Sequence, residues 1–78
     1  MQFGEKEINM LDDKMKELVA IGASVACNCH QCLLFHTSKA RELNIDPELI
    51  KQAAEVGKMV RKGAAGQMDK LLSGCSKE

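Results

Sequence analysis

The chain has 78 residues, and its eleven basic and eleven acidic side chains give a formal net charge of zero at neutral pH. A chain of this length forms one domain with a small core, which we expect to span residues 8–73 and to be followed by a flexible tail at 74–78. The absence of a basic block argues against nucleic-acid binding, and no apolar run is long enough to cross a membrane.

The amino-terminal residues also argue against export. They carry acidic side chains and no apolar segment, which is unlike a secretory signal. We therefore expect the protein in the cytoplasm, where thiols stay reduced. Four cysteines in a reducing compartment indicate redox catalysis or metal binding more than structural disulfides.

Apolar residues recur every three or four positions near the amino terminus, which predicts a first helix over about residues 8–25. The members of this stripe are Ile8, Leu11, Met15, Leu18, Gly22 and Val25. Asn28 suits the break that follows, because asparagine accepts the left-handed conformation at a helix end and can also cap the next helix. That second helix is predicted from about Cys29 to Leu43, with Leu33 and Ala40 facing the core.

A new helix start is predicted at Asp46, which is a good N-cap, with Pro47 at the first helical position. Ile45 and Ile50 have the spacing of a hydrophobic staple across this start. We expect this third helix to end near Gly63, at a joint of small residues over positions 63–66, and a short fourth helix to cover residues 68–72. The sequence therefore predicts an all-α bundle of about four helices, whose small core favours self-association.

Two cysteines and a histidine share one face of the second helix. With about 100° per residue, Cys29, Cys32 and His36 fall within an arc of about 60°, whereas Cys27 points to the far side. A helix N-terminus stabilises thiolates, and Cys-x-x-Cys pairs placed there commonly have lowered pKa values. Two thiols one turn apart can close a disulfide while the imidazole takes or returns a proton. This pattern predicts a dithiol redox centre.

A carboxylate that orients the imidazole would strengthen this prediction. If the first two helices form an antiparallel hairpin that turns near residues 26 and 27, facing positions have numbers that sum to about 53. Glu17 and His36 satisfy this sum, so Glu17 is the expected partner of His36 in a Glu–His–Cys relay. The alternative for Glu17 is an ordinary solvated position at the edge of the apolar stripe.

The spacing Glu17…Cys29-x-x-Cys32-x-x-x-His36 resembles the signature of AhpD-like members of the carboxymuconolactone decarboxylase family, over roughly residues 10–66. The resemblance implies an all-helical trimer or hexamer that needs no cofactor and carries out thiol-disulfide exchange linked to peroxide reduction. It also implies that Cys32 is the nucleophile, Cys29 its partner, and Glu17 and His36 the proton relay.

The same resemblance implies a disulfide or hydroperoxide as substrate and a thioredoxin-like or other dithiol protein as electron donor. The decarboxylase members of the family lack the cysteine pair, so decarboxylation is the less favoured activity. Cys27 and Cys75 are additional to the pattern.

Two other interpretations remain open. Cys27, Cys29, Cys32 and His36 offer the ligand types of a zinc site or an iron–sulfur cluster, which would make the protein a metal or cluster carrier or a redox sensor. Alternatively, the helices could form an interaction module in which the cysteines have no chemical role.

Overall fold

The computed structural model describes residues 10–76, and every regular element within them is a helix. Helix α1 spans Asp13–Ala26, α2 spans His30–Glu42 and α3 spans Pro47–Ser76. The predicted all-α class is confirmed, but residues 10–76 contain three helices, where about four were expected for the chain.

Helix α1 begins later than the apolar stripe indicated. Asp12 is the N-cap, and its carboxylate accepts a hydrogen bond from the Met15 amide at 2.8 Å. Leu11 therefore precedes the helix, and Ile8 lies outside the described residues. The capping carboxylate sets the start because it satisfies an amide that has no partner inside the helix.

Helices α1 and α2 end in the same way, with an asparagine in the left-handed conformation. Asn28 and Asn44 both have a φ of 58°. The amide of Cys29 donates to the Ser24 carbonyl at 2.9 Å, and the amide of Ile45 donates to the Ala40 carbonyl at 3.0 Å. These bonds are those of a Schellman motif, which closes the final turn. The break predicted at Asn28 is therefore confirmed.

The predicted start of α3 is also confirmed. Asp46 accepts the amide hydrogen of Glu48 at 2.8 Å, and Pro47 occupies the first helical position. Ile50 packs against the core cluster that contains Ile45, as a hydrophobic staple requires.

The predicted joint at residues 63–66 is wrong, because α3 continues through Gly63 and Gly66 to Ser76. Each glycine costs only about 1 kcal/mol relative to alanine in a helix, and no proline or cap interrupts the chain here. Nothing lies within 4 Å of a Cβ built on Gly63, Gly66 or Gly74. The carboxyl-terminal half of α3 therefore extends away from the bundle.

The core is small, and α1 and α3 cross very closely beside it. Among the described residues, the buried hydrophobic side chains are Ile21, Ala40 and Ile45. A Cβ built on Gly57 would collide with the Gly22 carbonyl and lie 2.8 Å from the Cβ of Val25. Only glycine fits at this crossing, which fixes α3 against the end of α1 that leads to the cysteine pair.

No helix within residues 10–76 has the length and apolar character that crossing a membrane requires.

Candidate active site

The two cysteines of the Cys-x-x-Cys motif stand at the start of α2 and are joined by a disulfide. Their Cα atoms are 5.3 Å apart. Cys29 is the N-cap of α2, and its Sγ accepts a hydrogen bond from the Cys32 amide at 3.2 Å. Asn28 ends α1 but does not cap α2, so only one of its two expected roles is present. The left-handed turn at Asn28 thus leads directly into the helix start that holds both sulfurs.

Glu17 and His36 form an ion pair or hydrogen bond across the α1–α2 hairpin. Oε1 of Glu17 lies 2.7 Å from Nδ1 of His36. The two side chains are 17% and 27% exposed, so water only partly surrounds them. The hairpin register predicted this contact. Because an ionised carboxylate only accepts hydrogen bonds, it favours a hydrogen on Nδ1 and leaves Nε2 as the proton acceptor.

His36 follows Cys32 by four residues on the same face of α2, where side chains one turn apart are neighbours. The ring of Phe35 meets the imidazole edge-on, with centroids 5.0 Å apart. Phe35 itself is 59% exposed. The structure therefore places the pair of sulfurs, the imidazole and its carboxylate partner along adjacent turns of one hairpin.

Arg61 is the residue near the site that the sequence patterns did not single out. Its Nη1 donates to Oδ1 of Asn28 at 2.7 Å and to the Val25 carbonyl at 3.3 Å. Arg61 thereby holds the turn that precedes Cys29. Neither spacing nor composition distinguishes it from the other basic residues, because its role depends on where α3 crosses α1.

Cys27, the further cysteine of the alternative metal site, takes no part in the disulfide. Cys27 is a free, exposed cysteine whose Sγ contacts the Ser24 carbonyl oxygen at 3.7 Å. The Cys75 side chain lies outside the described residues. Within the described part of the chain, no three or more His, Cys, Asp or Glu side chains form a group that could hold a metal ion. The fourfold set of Cys27, Cys29, Cys32 and His36 therefore gains no geometric support.

Two cavities adjoin the amino-terminal end of α2. The smaller, of about 200 Å³, is bordered by Asn28, Cys29, His30 and Arg61, among others. The larger and more open one, of about 780 Å³, shares Asn28 and Arg61 with it. Cys29 is therefore reachable by a small molecule from the α3 side of the hairpin.

The family model for the carboxymuconolactone decarboxylase family matches residues 1–67, which include all of α1, α2 and the first two thirds of α3. Comparisons with curated proteins and with solved structures find no match. The match contains Glu17, the two motif cysteines, His36 and Arg61, whereas Cys75 lies beyond it.

Proposed function

The chain belongs to the carboxymuconolactone decarboxylase family, and we propose that it is an AhpD-like thiol–disulfide oxidoreductase whose redox centre is the Cys29–Cys32 pair. One observation carries the proposal: the pair begins α2, and the Glu17–His36 contact lies one turn further along the same helix. Disulfide exchange begins with a thiolate, which a positioned proton acceptor generates, and the second thiol of the pair completes the exchange.

In the proposed reaction with a disulfide, His36 takes the proton of Cys32, and the Cys32 thiolate attacks one sulfur of the substrate. The substrate S–S bond breaks, one half leaves as a thiol after protonation, and the other half remains as a mixed disulfide on Cys32. The Cys29 thiolate then attacks Cys32, releasing the second thiol. Two electrons pass to the substrate, and the pair is left as a disulfide.

A hydroperoxide would react through the same residues. The Cys32 thiolate attacks the terminal oxygen, the O–O bond breaks, and the alcohol leaves after protonation. Cys32 is then a sulfenic acid, which Cys29 converts to the disulfide with release of water. We place peroxide reduction second to disulfide exchange, because the described residues supply no separate feature for a peroxide.

Glu17 acts in this proposal as a positioning residue. Its carboxylate, 2.7 Å from Nδ1, fixes the ring orientation and stabilises the imidazolium that forms when Nε2 takes a proton. Because both side chains are partly buried, water does not fully screen this interaction.

The oxidised pair must be reduced again before another turnover. We propose that a thioredoxin-like or other dithiol protein in the cytoplasm supplies the two electrons by exchange with the Cys29–Cys32 disulfide, so that no bound cofactor takes part. Cys29 borders the smaller cavity and Cys32 does not, so Cys29 is the cysteine that we expect this donor to attack.

We also propose that the protein works as a homo-oligomer, either a trimer or a hexamer. An apolar groove of about 460 Å³ lies between α1 and α3. Several large apolar side chains on α3 are more than half exposed: Val56, Met59, Val60, Met68, Leu71 and Leu72. A second copy of the chain would bury this surface, which the small core leaves open.

A turnover assay tests the proposed function. The Cys27→Ser/Cys75→Ser variant, which keeps only the motif cysteines, should catalyse reduction of 2-hydroxyethyl disulfide by dithiothreitol. Adding Cys32→Ser should abolish the catalysed rate, while Cys27 and Cys75 should be dispensable. A rate no faster than the uncatalysed reaction, with stoichiometric zinc or iron in the purified protein, would replace this proposal with the metal-carrier or sensor hypothesis.

A further inference from the structure

Arg61 carries a positive charge that the protein holds in place without neutralising it. Its two hydrogen-bond acceptors, the Asn28 side-chain oxygen and the Val25 carbonyl, are both neutral. No carboxylate within residues 10–76 forms an ion pair with Arg61, and the nearby Glu55 pairs instead with Lys58 at 3.4 Å. A guanidinium has five N–H donors, of which these bonds use the two on Nη1. The edge formed by Nε and Nη2 therefore has no acceptor among the described residues.

Arg61, which carries this free edge, shares a cavity with one cysteine of the redox pair. Arg61 lines the cavity of about 200 Å³ that Cys29 also lines. It lines the neighbouring open cavity as well, where three basic residues, Lys58, Arg61 and Lys62, outnumber the one acidic residue, Glu55. Arg61 thus borders both cavities, whereas Cys29 borders only the smaller one.

We propose that Arg61 forms a subsite for a carboxylate group of the disulfide substrate, so that the pair preferentially reduces anionic disulfides. This inference rests on the exchange activity proposed above. The Nε/Nη2 edge of arginine binds a carboxylate through two parallel charge-assisted hydrogen bonds, which a lysine ammonium cannot reproduce. The bonds from Nη1 to the turn before Cys29 fix this edge in position, so little side-chain freedom is lost on binding.

The subsite is separate from the proton relay. Glu17 and His36 lie on the α1–α2 contact, and neither borders the two cavities that Arg61 lines. In this proposal the carboxylate of the substrate binds on the Cys29 side of the pair, and proton transfer takes place on the Cys32 side.

The test compares three small disulfides that differ in charge: 3,3′-dithiodipropionate, neutral 2-hydroxyethyl disulfide and cationic cystamine. The second-order rate constant for oxidation of the reduced pair is measured in the Cys27→Ser/Cys75→Ser protein, and each value is divided by the rate of the same disulfide with dithiothreitol. The corrected anionic rate should exceed the neutral one by about tenfold or more, the usual effect of a charge-assisted hydrogen bond. Cystamine should be the slowest.

Arg61→Gln should bring the anionic-to-neutral ratio close to one. The ratio does not depend on how much of the variant is folded, because both substrates report on the same active molecules. Lys51→Gln is the matched control: it removes the same charge from the same helix, ten residues or about 15 Å from Arg61, and should leave the ratio unchanged. Arg61→Lys keeps the positive charge but cannot form two parallel hydrogen bonds to a carboxylate, so its anionic-to-neutral ratio should be intermediate.

Equal corrected rates for all three disulfides, or an anionic preference that survives Arg61→Gln, would overturn the subsite while leaving the exchange activity intact. A reduced pair that reacts with none of the disulfides would overturn both the activity and the subsite.

Discussion

Oε1 of Glu17 lies 2.7 Å from Nδ1 of His36, across the interface between the first two helices. This contact links the two helices one turn beyond the cysteine pair. It favours a hydrogen on Nδ1 and leaves Nε2 for proton transfer, so a carboxylate on α1 selects the tautomer of an imidazole on α2.

Removing the negative charge of Glu17 should slow exchange without unfolding the hairpin. We expect Glu17→Gln to lower the rate of disulfide reduction by about 10- to 100-fold, because general-base contributions are typically 10²–10⁴-fold and the imidazole remains present. The matched control, Glu42→Gln, removes a charge at the exposed end of α2 and should change the rate less than about twofold.

A double-mutant cycle distinguishes a relay from two independent effects. In Glu17→Gln/His36→Gln, the loss should be no larger than in His36→Gln alone, since Glu17 acts through the imidazole. If the double variant instead lost rate by the product of the two single fold-losses, Glu17 would contribute separately, which would contradict the relay.

The two cysteines should behave differently when replaced one at a time. With Cys29→Ser, a substrate disulfide should leave a stable mixed disulfide on Cys32, because no resolving thiol remains. With Cys32→Ser, the corresponding adduct on Cys29 should form much more slowly. Intact-protein mass spectrometry and peptide mapping identify the modified residue, and a faster adduct on Cys29 would reverse the assigned roles.

The close crossing of α1 and α3 predicts opposite effects for two glycine-to-alanine substitutions. Gly57→Ala should destabilise the fold by about 1–3 kcal/mol, because the new methyl group meets the Gly22 carbonyl. Gly66→Ala has open space around its Cβ and should stabilise the helix by about 0.5–1 kcal/mol. Urea unfolding curves measure the change in the free energy of unfolding for each variant. A Gly57→Ala variant as stable as the wild type would show that α1 and α3 can move apart without loss of stability.

The matched left-handed asparagines allow the turn before the pair to be tested separately from stability. Asn28→Ala and Asn44→Ala should each destabilise the protein by roughly 1–2 kcal/mol, the strain of an alanine at this φ. Only Asn28→Ala should also slow disulfide exchange, because Asn28 precedes Cys29 and receives the Arg61 hydrogen bond. Equal exchange rates in the two folded variants would mean that the turn does not position the pair.

The exposed apolar surface predicts self-association. Val60→Glu places a charge in the groove between α1 and α3 and should shift the protein towards monomer in sedimentation velocity. Gln67→Glu, an equal change in charge at an exposed position of the same helix, should leave the assembly unchanged. A wild-type protein that is monomeric at micromolar concentration would contradict the proposed oligomer.

Local signals in the sequence were sufficient to predict the hairpin and its contact between Glu17 and His36. Asn28, Asp46 and Pro47 are strong determinants of helix ends, and the register of a short hairpin follows from its turn. The continuation of α3 could not be predicted in this way, because two glycines weaken a helix by an amount that its neighbours readily offset. Arg61 was missed for a different reason: its contacts are made 33 and 36 residues away and depend on the packing of α3.

The most direct test of the central claim is to locate the first disulfide that forms. Anaerobically reduced, metal-analysed protein is titrated with less than one equivalent of oxidant, alkylated and mapped by mass spectrometry. We predict metal-free protein in which Cys29 and Cys32 become linked first, while Cys27 and Cys75 remain alkylatable. Stoichiometric bound metal, or a first disulfide that involves Cys27 or Cys75 in place of the pair, would contradict the account.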